Sequence, residues 1–210
     1  MEDIKTRWGI DYHRFFHEEN VQGYEQMVAC IENDIHYEWS AIYKENSAPL
    51  SALGRFVYGD FIFLYDDTGE LIYHNKAKEG EVPEGRVVAA YGVSKQNVAK
   101  RNSSRMKGYL GPTSKIYAHF GGNYDKGHFI ANATGGPMEI NIFPQKKEIN
   151  RGWSESGKVY RRMERFIAQN PGTFVFSRPI YNDFTLRPIL LEFGYISNDG
   201  EFVSEFFENI

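Results

Sequence analysis

Two periodicities divide the chain. In its first fifty residues, apolar side chains recur at spacings of three and four (Met27, Ile31, Ile35, Trp39, Ile42), the repeat that lines one face of a helix. Ala48-Pro49 marks the stop. Beyond it the pattern changes to strands. Phe56–Tyr65 and Glu70–His74 read as two of them, joined by the hairpin signal Asp66-Asp67-Thr68-Gly69. Arg86–Val93 reads as a third and Lys115–Phe120 as a fourth. His128–Ala133 and Glu139–Phe143 read as extended on either side of a turn at Gly135-Gly136. A helix follows over Lys158–Gln169, closed by Asn170-Pro171-Gly172. Thr173–Tyr181, Pro188–Ile196 and Glu201–Phe207 finish as strands, the last two turning at Asn198-Asp199-Gly200.

This order predicts an α+β fold with a mostly antiparallel sheet and an N-terminal helical segment. Residues 1–50 are expected to form an appendage or accessory layer, and 51–210 the main domain. No internal repeat or low-complexity tract interrupts them.

Composition narrows the class. The 210 residues are 41% apolar and 16% aromatic, enough for a substantial core. The one cysteine, Cys30, excludes an internal disulfide and any cysteine-based zinc site. Its apolar neighbours Met27, Val28, Ala29 and Ile31 predict a buried structural thiol. The N-terminus lacks an apolar signal core, and no run approaches the ~18 apolar residues of a membrane span. A soluble protein beginning in the cytoplasm is therefore expected, with export by a route needing no classical signal left open.

A net charge of −4 taken alone argues against a nucleic-acid partner, but its distribution argues otherwise. Residues 95–115 carry Lys95, Lys100, Arg101, Arg105, Lys107 and Lys115 with no acid, and Lys146, Lys147 and Arg151 open a second basic stretch. These are either solvated surface or the positive border that a polyphosphate substrate requires.

Between the basic stretches stands the densest chemistry of the chain. Asp125, Lys126, Gly127 and His128 place a carboxylate, a cation, a flexible joint and a titratable base in succession, with Asn141 and Asn150 beyond the Gly-Gly turn. Hydrolysis of a phosphodiester needs an activated water, neutralised phosphoryl oxygens and a stabilised leaving alkoxide. His128 is the natural base, its unperturbed pKa lying near ~6.5. Lys126 suits a phosphate oxygen; Asp125 suits orienting the imidazole or anchoring the turn. Few carboxylates stand nearby, which fits a magnesium ion that keeps several waters and completes its shell from substrate. The amide oxygen of Asn150 is the expected direct ligand. The bland readings are a capping histidine and turn asparagines.

Asp125-Lys126-Gly127-His128, then Asn141-x-x-Pro144-Gln145 and Asn150-Arg151-Gly152-Trp153, together resemble the DNA/RNA non-specific endonuclease family with a ββα-metal active site. The resemblance covers roughly residues 120–195, ending in the Arg187-Pro188 strand. It implies His128 as general base, Asn150 as ligand to Mg2+ (or Mn2+), Asn141 as a supporting hydrogen bonder, and 5′-phosphate products. It also implies a helix glutamate on a metal-bound water and an upstream arginine on phosphate. Arg101 and Arg105 are the candidates for that arginine, with Arg86 not excluded; Lys146 and Arg151 would add to the nucleic-acid surface.

Lys126 departs from the commoner Asp-Arg-Gly-His pattern. A lysine gives phosphate a point charge in place of a planar bidentate fork. The helix glutamate is Glu164 or Glu155. One continuous helix would set Glu164 about 21 Å from Asn150 at ~1.5 Å per residue, too far to share an ion. Glu164 is chosen on the expectation that Gly152–Gly157 loops and the helix starts afterwards.

The leading expectation is thus a metal-dependent, sequence-non-specific endonuclease acting on DNA and also RNA. A toxin or defence role, with residues 1–50 meeting an immunity or inhibitor protein, is compatible with it. The competing class is a nucleic-acid-binding module that keeps the fold without the chemistry.

Overall fold

The computed structural model describes residues 8, 11–47, 53–66, 86–97, 120–138, 140–183 and 185–210. Helices α1 (Tyr12–Glu18) and α2 (Tyr24–Asp34) lead into a π-helical turn (Ile35–Trp39) and α3 (Ser40–Ser47). Asp11 caps α1 through the Arg14 amide. Strands β1 (Gly54–Tyr58), β2 (Phe61–Asp66) and β3 (Arg86–Val93) follow. Next come β4 (Tyr124–His128), a 3-10 turn (Asn132–Thr134), β5 (Ile142–Lys146), α4 (Lys147–Asn150) and α5 (Glu155–Gln169). Strands β6 (Phe174–Ile180), β7 (Leu190–Ile196) and β8 (Phe202–Glu208) complete the chain. The fold is α+β.

Six strands form one antiparallel sheet in the order β1-β2-β3-β6-β7-β8, while β4 and β5 pair apart from it as an antiparallel hairpin. The central strands are buried on both faces, so their side chains divide by parity. From β6, Phe174, Phe176 and Ile180 face a core shared with Trp8, Tyr12, Phe16, Ile31, Ile35, Trp39 and Tyr43 of the N-terminal helices. From β7, Leu191, Phe193 and Tyr195 face a second core with Phe129, Phe143, Ile149, Tyr160, Met163 and Ile167. The sheet is therefore the middle of three layers. The N-terminal helices cover one face and the β4-β5-α5 unit covers the other.

The helical layer is also joined to the sheet by buried charge. Arg178 on β6 is 1% exposed and pairs with Glu192 on β7 and, at 3.2 Å, with Asp34 on α2. The Tyr12 hydroxyl donates to the same Asp34 carboxylate, and Ser204 donates to Glu192 at 2.8 Å. The guanidinium also lies over the rings of Tyr12 and Trp39. Neighbouring carboxylates hold Arg178 above its ordinary range against the cost of burial.

Several boundaries differ from the sequence reading. Phe56–Tyr65 is not one strand: Gly59, at φ +59°, and Asp60 turn it into the β1-β2 hairpin. The strand expected from His128 ends there, and the next begins at Ile142 instead of Glu139. The second helix starts at Glu155, not Lys158, because Ser154 accepts the Gly157 amide as N-cap. Cys30 is half-buried, not buried. The Ala48-Pro49 stop, the turn after Asp66, Glu70–His74 and residues 115–119 lie outside the described residues; Phe120 stands outside any strand. Among the described residues no helix is long and apolar enough to cross a membrane.

Candidate active site

The β4-β5 hairpin pairs Asp125 with Gln145, Gly127 with Phe143 and His128 with Ile142. Side chains that face each other across such a ladder compete for one space. At Gly127 they leave none: a Cβ there would stand 2.3 Å from the Gln145 Oε1 and 2.4 Å from its Cβ. The glycine before His128 is thus required by Gln145, its diagonal neighbour across the ladder.

His128 closes the strand, and the chain just beyond it is held by four groups. The Tyr160 hydroxyl on α5 donates to the His128 carbonyl at 3.1 Å. The Phe129 amide donates to the Asn141 carbonyl at 3.0 Å, and Ser177 Oγ on β6 donates to the Phe129 carbonyl at 2.7 Å. The Phe129 ring stacks on Phe143, centroids 4.3 Å apart. The His128 side chain is half-buried, with Nε2 shielded from solvent. Burial, with Glu164 one helical turn away, pushes the Tyr160 hydroxyl well above its ordinary range. It therefore remains a donor at neutral pH.

Asn141 is fully buried, and its side chain is spent on backbone. Oδ1 accepts from the Ile130 amide at 2.7 Å; Nδ2 donates to the Ile130 carbonyl at 2.6 Å and the Pro137 carbonyl at 2.9 Å. A side-chain amide here replaces the ladder partner that Ile130 would have in a longer strand. That is why β4 stops at His128 and the chain turns.

Asn150 ends α4. Its amide nitrogen lies 3.4 Å from Asp125 Oδ2, a long contact that turns the amide oxygen away from the carboxylate. Arg151 grips the same carboxylate with both arms, Nε to Oδ2 at 2.6 Å and Nη2 to Oδ1 at 3.0 Å. The Asp125 carboxylate is thus taken up by Asn150 and Arg151, and along an extended strand its side chain leaves on the opposite side from His128. Of the two roles the sequence left open for it, anchoring is the one the contacts describe.

The chain breaks over Arg151–Ser154, a shorter loop than Gly152–Gly157. Gly157 lies inside α5, where a Cβ would stand 2.2 Å from the Glu148 carbonyl oxygen. Its absence lets α5 cross directly over α4, which folds the helix back along the hairpin. Glu164 thereby stands on the turn after Tyr160, its side chain 13% exposed and bonded to Arg161 at 2.6 Å. Glu155 opens the helix, 89% exposed and paired with Lys158.

The basic candidates separate. Lys146 donates to the Ile210 carbonyl at 2.7 Å and lies opposite Tyr124, at the end of the hairpin away from His128. Arg86 is 2% exposed, donates to the Tyr43 hydroxyl at 2.6 Å and lies over the Tyr181 ring. It is a core residue and not a phosphate clamp. Arg101 and Arg105 lie outside the described residues. Sequence reasoning missed Tyr160 and Ser177, which grip the backbone on either side of the His128–Phe129 peptide; neither carries a local motif that marks it.

Among the described residues no group of three or more His, Cys, Asp or Glu could hold a metal. The oxygen donors on offer, the Asn150 amide and the Glu164 carboxylate, suit a hard ion that keeps much of its water, such as Mg2+.

No family model matches the chain, and no curated protein matches it. A structure of the nuclease Sda1 with a bound zinc ion aligns with TM-score 0.38 at 17% identity, covering 81% of each chain. The α+β architecture stands on the strand pairing of the chain itself.

Proposed function

We propose that the protein is a metal-dependent, sequence-non-specific endonuclease that hydrolyses DNA and RNA phosphodiesters to 5′-phosphate products. One observation carries the reading. A β-β-α unit holds the His128 carbonyl from α5 through Tyr160 and ties Asn150, the last residue of α4, to Asp125 of the same strand. Catalysis by positioning needs groups fixed before substrate arrives.

In this reading His128 accepts the proton of the attacking water, and Lys126 neutralises a phosphoryl oxygen as a point charge. Asp125 keeps Asn150 oriented, and the Asn150 amide oxygen would hold Mg2+ or Mn2+. The Glu164 carboxylate would hold a water molecule. A bound divalent ion supplies charge neutralisation at the phosphoryl group and the leaving alkoxide. Asn141 acts at one remove, by ending β4 at His128. Arg101 and Arg105 remain proposed phosphate contacts, with Arg151 bordering the site. Residues 51–210 would form the nuclease domain and 1–50 its accessory layer, with a toxin or defence role and an immunity or inhibitor protein as partner.

Purified protein with magnesium is expected to degrade plasmid and RNA, and EDTA to stop it. His128→Ala is expected to lower the rate at least ~100-fold with the melting temperature unchanged, and Asn150→Ala to cripple it likewise. Intact plasmid across magnesium, manganese and calcium would sink the proposal. Full activity of the Asn150 variant would remove that residue as ligand.

A further inference from the structure

The chain has three tryptophans, and they are not treated alike. Trp8 and Trp39 are 4% and 1% exposed in the core beneath the N-terminal helices, whereas Trp153 is 62% exposed. A single exposed aromatic needs no explanation by itself. Its setting is what distinguishes this one. Trp153 lies three residues after Asn150, on the loop between α4 and α5. The Arg151 guanidinium sits over its ring, 4.9 Å from the centroid. That same guanidinium grips Asp125 with two hydrogen bonds. The indole is therefore fixed, through one arginine, to the strand that ends in His128.

Its backbone is fixed as well. The Trp153 amide donates to the Glu148 carbonyl at 2.8 Å, and the Ser154 amide shares that oxygen at 3.3 Å. Ordering the loop has already been achieved by folding, so a ligand stacking on the ring bears little of that cost. Arg151 remains partly exposed, its side chain 43% accessible, and brings a positive charge to the edge of the apolar surface. A flat aromatic face with an adjacent guanidinium is the chemistry that holds an unpaired nucleobase beside its phosphate.

We infer that Trp153, backed by Arg151, is a stacking platform for an unpaired base of the substrate strand next to the scissile phosphate. The inference rests on the nuclease reading for its substrate, and it adds a positioning subsite and a preference for single-stranded or frayed polymer. Trp153 is not a catalytic residue. It binds a base and thereby sets the register of the phosphate.

The two buried indoles make the test direct. Tryptophan emission of the wild-type protein is followed in EDTA, which under the proposed chemistry permits binding without cleavage. The titrants are single-stranded oligothymidylate and an oligomer of equal length made of abasic sugar-phosphate. Oligothymidylate is expected to quench the emission, and the abasic polymer to quench it far less. Trp153→Ala is expected to abolish the quenching and to weaken oligothymidylate binding roughly five-fold or more, read by anisotropy of a labelled strand. Trp153→Phe should retain much of the affinity, since it keeps an aromatic face. Equal quenching by both polymers, or unchanged affinity in Trp153→Ala, would overturn the inference. Cleavage by the wild type in magnesium is measured separately. Activity with base-independent quenching fails the platform alone, while base-dependent quenching with no cleavage in any metal supports the platform and fails the nuclease reading.

Discussion

The two faces of the central sheet bury polar groups for different ends. On the face under the N-terminal helices, Arg178, Asp34, Glu192 and Tyr12 spend their hydrogen bonds and charges on one another. Each is covered, and the network joins four elements, two helices from the start of the chain and two strands from its last forty residues. On the opposite face the buried side chains of Asn141 and Ser177 are spent on backbone at Phe129, Ile130 and Pro137. The first arrangement fixes one layer to another. The second fixes the course of the chain just past His128, leaving Asn150 and Lys126 at half-buried positions. Charge paired inside a layer holds the scaffold; amides spent on backbone hold the place where chemistry is proposed.

Substitutions on either face can break that contrast. The largest stability effect is expected for Arg178→Met, which strands two carboxylates in the interior. Removing one partner of a buried ion pair costs about 3–5 kcal/mol, so thermal unfolding should fall by on the order of 10 °C. Cleavage per folded molecule should stay near wild type. A melting temperature within a degree of wild type would show that the network contributes little. Asn141→Ala should act on both properties. It removes the partner of the Ile130 amide and of the Ile130 and Pro137 carbonyls, a loss of about 1–3 kcal/mol, and cleavage should drop as His128 loses its fixed place. A destabilised variant with full activity per folded molecule would separate Asn141 from the site. The smallest effect belongs to Cys30. Burial pushes its thiol up, so it should be mostly protonated at pH 7 and react slowly with a disulfide reagent until the protein is denatured. Rapid labelling of the native protein would contradict its packing against the helical core.

The contrast itself was not legible in the sequence, although much of the fold that carries it was. The reading of Arg86–Val93 as a strand gave β3 its observed bounds, and the order of chemical groups from Asp125 to Asn150 marked the hairpin. What escaped the sequence was long-range. Gly59-Asp60 sits inside an unbroken run of aromatic and aliphatic residues, so the apolar signal hid a turn. Gly152 and Gly157 both looked like loop, yet Gly157 serves a helix crossing that only the Glu148 carbonyl reveals. Spacing did not exclude Arg86 as the phosphate clamp beside Arg101 and Arg105; its partner Tyr43 is 43 residues away. Asp125 read as a potential orienter of His128, and the basic residue that claims its carboxylate, Arg151, comes from the next turn of the motif.

The hairpin that carries the proposed base has its outer edge finished by Asn209. This buried side chain accepts from the Lys146 amide and donates to the Pro144 and Pro188 carbonyls, while its own carbonyl receives the Tyr124 hydroxyl. Those partners precede it by as many as 85 residues. Domains take shape from the N-terminal end during synthesis, so on the ribosome the helical layer and most strands exist before this clamp does. The edge beside the motif waits on a residue made long after Tyr124 itself. The hairpin edge therefore cannot close until the chain has been made through Asn209.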